Sequence, residues 1–174
     1  GLALSVALAG IATAKPPSQP TSTIVPPAYY DATGKLVGAA FYSAVSGVAV
    51  LLRVGDVSLP LGIWYFDQAD QSAGATWEEN GVAFDQPNCQ GNAYVYNSTH
   101  PGATAVGSVV KMPGTGDYFL YSASPIGTTT ALIYSTLIEG NCTSTGSAPI
   151  EFTNAVPVTS VIDLSEFRLP FILR

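Results

Sequence analysis

From residue 28 onward, apolar side chains recur in short runs with period two, punctuated by Gly, Pro, Asn and Asp, and nowhere do they sustain the spacing of an amphipathic helix. The pattern predicts strands. Ala28-Tyr29-Tyr30 leads into Asp31-Ala32-Thr33-Gly34-Lys35, in which Asp opens a turn and Gly34 accepts positive φ, and residues 36–42 return as the second arm of a hairpin. Strands follow at 48–54 and 57–66 around Gly55-Asp56, with Pro60 moving part of the second to an edge or bulge because it cannot donate to a ladder. Residues 67–92 interrupt the rhythm as an irregular excursion around a short strand at 81–84. Strand patterns resume at 93–96, 105–112, 118–122, 129–139, 150–153 and 160–164, with at most one helical turn around 163–167. Strands at roughly ten-residue spacing describe one all-β domain over 28–174, an antiparallel β-sandwich or barrel built as a meander of hairpins.

The first fourteen residues also alternate. Leu2, Leu4, Val6 and Leu8 are large, Ala3, Ser5, Ala7 and Ala9 are small, and the run closes on Ala12-Thr13-Ala14. Two readings of residues 1–14 stand side by side. One is a signal-peptide remnant, an apolar h-region ending in a small-x-small cleavage site. The other is an N-terminal donor strand, whose four large side chains would enter a groove of a neighbouring subunit and complete its sheet. Either places the chain outside the cytoplasm. Residues 15–27, KPPSQPTSTIVPP, form a semi-extended linker, since proline fixes φ and little apolar area is available to bury.

Charged residues make up only 10% of the chain against 47% hydrophobic, well under the roughly 25% charged of an average soluble domain. The surface polarity therefore comes from hydroxyls and amides, which suits dense packing, glycans or solid surfaces. The net charge is −6 and the six cations, Lys15, Lys35, Arg53, Lys111, Arg168 and Arg174, are scattered singly, so no patch can neutralise a run of phosphates and nucleic acid is not an expected partner. After the leader no apolar run reaches the roughly 20 residues of a membrane helix. Two cysteines, Cys89 and Cys142, in an exported chain most simply form one disulfide; two free buried thiols are the alternative. Neither metal nor cofactor is expected, because two thiols and the one histidine do not make a four-ligand site.

Four segments in order, Tyr30 to Gly38, Asn88-Cys89-Gln90-Gly91-Asn92-Ala93-Tyr94, Gly140-Asn141-Cys142, and Val156-Pro157-Val158 followed by Val161 to Phe171, resemble a loose group of exported bacterial β-rich proteins of unassigned function. The shared pattern is D-x-x-G-K-x-V-G, then C-x-G-x-A-Y, a later single Cys, and V-D-L-x-x-F-x-x-P-F, read here with Ile162 before Asp163-Leu164. The resemblance implies secretion, bacterial origin and a β fold. It transfers no catalytic residue.

The chemistry-bearing residues are sparse. His100 lies in Asn97-Ser98-Thr99-His100-Pro101-Gly102, a turn without an orienting carboxylate, which makes a poor general base. Glu78 and Glu79 beside Trp77 have the residue types of a glycosidase, but neighbours on a strand point to opposite faces and cannot flank one bond. Asp67, Asp70, Glu78 and Asp85 offer oxygen ligands without calcium-loop spacing. Asn97-Ser98-Thr99 and Asn141-Cys142-Thr143 match glycan sequons. Trp64 shares a strand face with Phe66, and Tyr94 with Tyr96; together with Trp77 these could stack on sugar rings or belong to the core. The resulting expectation is a non-enzymatic structural or surface protein, a filament subunit that associates with its own copies, with a secreted carbohydrate-binding module using Trp64, Trp77, Tyr94 or Tyr96 as the alternative.

Overall fold

The computed structural model of the protein describes residues 26–43, 47–96, 104–112, 114–123 and 127–174. The donor-strand positions Leu2, Leu4, Val6 and Leu8, most of the Pro-rich segment, His100 and the first sequon lie outside the described residues. The fold is all-β. In chain order the strands are β1 (Ala28–Tyr30), β2 (Leu36–Ser43), β3 (Gly47–Val54), β4 (Val57–Tyr65), β5 (Ala75–Trp77), β6 (Val82–Gln86), β7 (Gln90–Tyr96) and β8 (Val106–Lys111). They continue as β9 (Tyr118–Ala123), β10 (Thr129–Ile133), β11 (Ser135–Ile138), β12 (Asn141–Ser144), β13 (Ile150–Pro157), β14 (Ser160–Asp163) and β15 (Ile172–Leu173).

The first sheet has the order β15-β1-β2-β3-β4-β5. Its two ends meet: Ala75 and Phe171 exchange both backbone hydrogen bonds, at 2.9 and 2.8 Å, so the sheet closes nearly into a barrel. Alternation fills it. Leu59, Leu61, Ile63 and Tyr65 of β4 point inward, while Trp64 points out and Pro60 is partly covered. Pro60 pairs with Leu51 on one side and lies before the stretch of β4 that β5 covers, as expected for a residue with no N–H to donate. Trp77 and Phe171 meet edge to face inside, with ring centroids 4.6 Å apart, and the hydroxyls of Tyr29 and Tyr65 hydrogen-bond each other.

The second sheet, β14-β9-β8, is sandwiched. Val109 and Leu120 face the barrel, while Val106, Val110 and Ala123 face the third sheet, β10-β13-β7-β6-β11-β12, whose Val82, Phe84, Val95, Leu137 and Val156 pack against them. Each such Val, Leu or Phe side chain contributes about 1.5–3 kcal/mol of burial. The expected strand 129–139 breaks at Tyr134, whose N–H bonds to Phe84 O at 2.9 Å. Its first half, β10, pairs with β13 and its second, β11, with β6. The chain itself thus joins the two ends of the arc β10-β13-β7-β6-β11, and the face turned away from the middle sheet curls inward around Ala83, Ala131 and Ala155.

The motifs of the sequence resemblance are structural fastenings. Asp31, 2% exposed, accepts hydrogen bonds from Thr33 N, Thr33 Oγ1, Lys35 N and, across the molecule, Arg168 N. Lys35 pairs with Glu166 at 2.6 Å and sits 4.5 Å from the Phe167 ring centre. The opening hairpin and the C-terminal tail therefore hold each other. In C-x-G-x-A-Y, Gly91 (φ +79°) lies against Asp85 and Gln86 with no room for a Cβ, and Asp85 binds Asn92 through both backbone and side chain.

Candidate functional site

Among the described residues, two of the concavities contrast sharply in chemistry. The first is a groove of about 220 Å³ on the curled face of the third sheet, walled by Tyr94, Tyr96, Ile133, Ile150 and Phe152. The period-two rule puts Tyr94 and Tyr96 there, opposite in parity to Val95, which faces the core. On β13 a register shift at Asn154 (φ 59°) lets Ile150 and Phe152 face the groove although Val156 faces the core. Tyr96 is 60% and Ile150 57% exposed, and the Tyr96 and Phe152 rings lie 6.1 Å apart. Burial, then the neighbouring Asp85 carboxylate, holds the Tyr94 phenol above its ordinary pKa. Thr145 beside β12 ties its hydroxyl to backbone carbonyls of Ile133 and Tyr134, so that rim presents a methyl rather than a donor. The lining is almost wholly apolar, and it suits apolar side chains.

The second is a cleft of about 500 Å³ where the barrel meets the middle sheet, lined by Trp64, Thr76, Glu78, Glu79, Lys111 and Glu139, with Trp77 behind them. β5 ends at Trp77. From there Glu78 N bonds to Gly62 O (2.9 Å), Glu79 forms an isolated parallel bridge with Val109, and Asn80 N bonds to Val109 O (3.0 Å). The Glu78 carboxyl lies over Gly62, where any Cβ would collide with it. Burial raises its pKa. The Oε2 atoms of Glu78 and Glu79 are both buried without a hydrogen-bond partner. Glu139 arrives through the two-residue turn between β11 and β12, in which Glu139 and Gly140 both take positive φ, 49° and 73°. That conformation suits Asn or Gly far better than Glu.

The structure thus separates the aromatic candidates. Trp64 is 57% exposed on the cleft, but Trp77 is 1% exposed, so it is a core residue rather than a stacking platform: it faces into the barrel against Phe167 and Phe171. Tyr94 and Tyr96 belong to the apolar groove. The expectation that Glu78 and Glu79 face opposite ways is corrected too. Pleat alternation ends with the strand at Trp77, and both side chains reach the same cleft. The other acids of the excursion serve their own turns: Asp67 accepts from Ala69 N, and Asp70 from Ser72 N and Oγ. Among the described residues no group of three or more His, Cys, Asp or Glu is placed to hold a metal ion. Lys111 and Glu139 carried no local signal beyond the Glu139-Gly140 turn; pairing register alone brings them to Trp64.

Cys89 and Cys142 form a disulfide, with Cα atoms 5.9 Å apart. It ties the 3-10 turn before β7 to the edge strand β12. Ser135 reinforces the junction, accepting from Cys89 N at 2.9 Å and donating to Gln86 O at 2.6 Å. Comparison with family models, curated proteins and solved structures finds no match.

Proposed function

We propose that this protein is an exported, non-enzymatic subunit of a bacterial extracellular assembly, in which residues 2–8 of one copy dock as an extended strand on the next. The observation that carries this reading is the apolar groove. An exposed concave surface of Tyr, Ile and Phe is the feature that marks a protein docking site on an otherwise polar domain. Leu2, Leu4, Val6 and Leu8 supply apolar side chains at the period a strand presents to one face. Among the described strands β12, at one end of the sheet that carries the groove, pairs on one side only, leaving backbone available for strand addition. The linker 15–27 spans about 40 Å when extended, at ~3.1 Å per residue, enough to pass between copies. The disulfide and the scarcity of charge fit an oxidising, crowded exterior.

Sedimentation of the full chain tests this. Ile150→Asp in the groove and Leu4→Asp in the donor each place a charge where it finds no partner, and each alone abolishes polymers. Mixed together they form heterodimers and nothing larger, because one retains an intact groove and the other an intact donor. Wild-type polymerisation by either variant overturns the reading.

A further inference from the structure

We propose that the cleft between the barrel and the middle sheet is a saccharide subsite, selective for neutral or amino sugars over uronates. It shares no lining residue with the apolar groove, so it stands or falls independently of the assembly reading.

Three observations converge. The Trp64 indole is more than half exposed at the cleft wall, and an exposed indole offers an apolar face that matches the C–H face of a sugar ring. The cleft pairs hydrogen-bond acceptors, Glu78, Glu79 and Glu139, with a donor, Lys111; the Thr76 hydroxyl, which donates to Tyr118 Oη at 3.2 Å, adds a further acceptor. Sugar hydroxyls both donate and accept, and such a mixed lining satisfies them, whereas three carboxylates around one ammonium repel a uronate.

The third observation is that these carboxyls are left unspent by the fold. Asp31, Asp67, Asp70, Asp85, Asp163 and Glu166 each accept from their own turn, hairpin or tail. Glu78 and Glu79 instead keep buried oxygens with no donor in the protein, a costly arrangement for a group held only for structure. The missing Cβ at Gly62 makes room for Glu78 at the cleft wall. Glu139 is held at positive φ on the opposite side, a strain of the sort that persists where a side chain is being presented.

Titration of the full chain with a β-1,4-linked glucosamine tetramer, the N-acetylglucosamine tetramer and a galacturonic acid tetramer tests this, read by calorimetry and tryptophan fluorescence. The first two bind and shift the emission, and the uronate does not. Trp64→Ala weakens binding at least about tenfold while the circular dichroism of the fold is unchanged, since the side chain is exposed. Glu79→Gln weakens it as well. Ile150→Asp, in the groove, binds as wild type. Absence of binding by all three tetramers, uronate binding as tight as that of the other two, or wild-type affinity in Trp64→Ala overturns the assignment.

Discussion

At the scale of single residues, carboxyl groups of the same type meet opposite fates. Burial alone would raise the Asp31 carboxyl, but hydrogen bonds from Arg168 N, Thr33 and Lys35 outweigh it and bring its pKa down to about 2. A depressed folded-state pKa stabilises above the unfolded value and loses that stabilisation as pH falls from about 4 toward 2. Asp31→Asn should therefore lower stability at pH 7 by about 2–3 kcal/mol, through lost charged acceptors, and flatten the acid limb of a denaturation series. Glu78 works in the other direction. Its pKa is raised by burial, so the folded state binds the proton more tightly and stability declines as pH rises through the carboxylate range. Glu78→Gln should gain stability at pH 7 and none at pH 3, as measured by urea unfolding. Glu139→Asn relieves the left-handed strain of its turn and should add about 0.5–1 kcal/mol, read as a higher melting temperature.

At the scale of elements, the disulfide is the covalent fastening of the third sheet. It closes a separation of 53 residues, and in the chain-entropy treatment Cys89→Ser should cost about 4 kcal/mol; chemical unfolding of the oxidised and reduced protein measures it. The strands were legible where alternation is local: 36–42, 48–54, 57–66 and 118–122 hold the observed β2, β3, β4 and β9 to within a residue or so. β12 was not legible, since Asn141, Cys142, Thr143 and Ser144 are all exposed and show no alternation. β5 and β15 are three and two residues long and are set by distant partners, β5 by Ile63–Tyr65 of β4 and β15 by Tyr29–Tyr30 of β1, with Ala75 and Phe171 bridging them across the barrel seam. The cleft was hidden for the same reason. Trp64 and Trp77 look equivalent in a linear chain, and only the register Ile63↔Trp77, Trp64↔Thr76 sends one inward and the other out.

At the scale of the whole molecule, three layers share two cores, with a third small cluster inside the curl of the third sheet, and the seam of the barrel is its most exacting joint. Phe171 is fully buried against Trp77 and its backbone closes the sheet. Phe171→Ala should cost about 3–5 kcal/mol and shift the emission of Trp77 toward that of a solvated indole, a change easily followed because the chain has only two tryptophans. Val161→Asp, on the exposed edge strand β14, should stay within about 0.5 kcal/mol of wild type by the same measurement.

The seam also sets a timetable. β1 begins at Ala28, yet its outer neighbour is Ile172–Leu173, and Asp31 waits for Arg168. No ribosome can deliver those partners until almost all of the described chain has been made, and contacts so distant in sequence form slowly. The barrel therefore locks only once the C-terminal tail is available to close its seam.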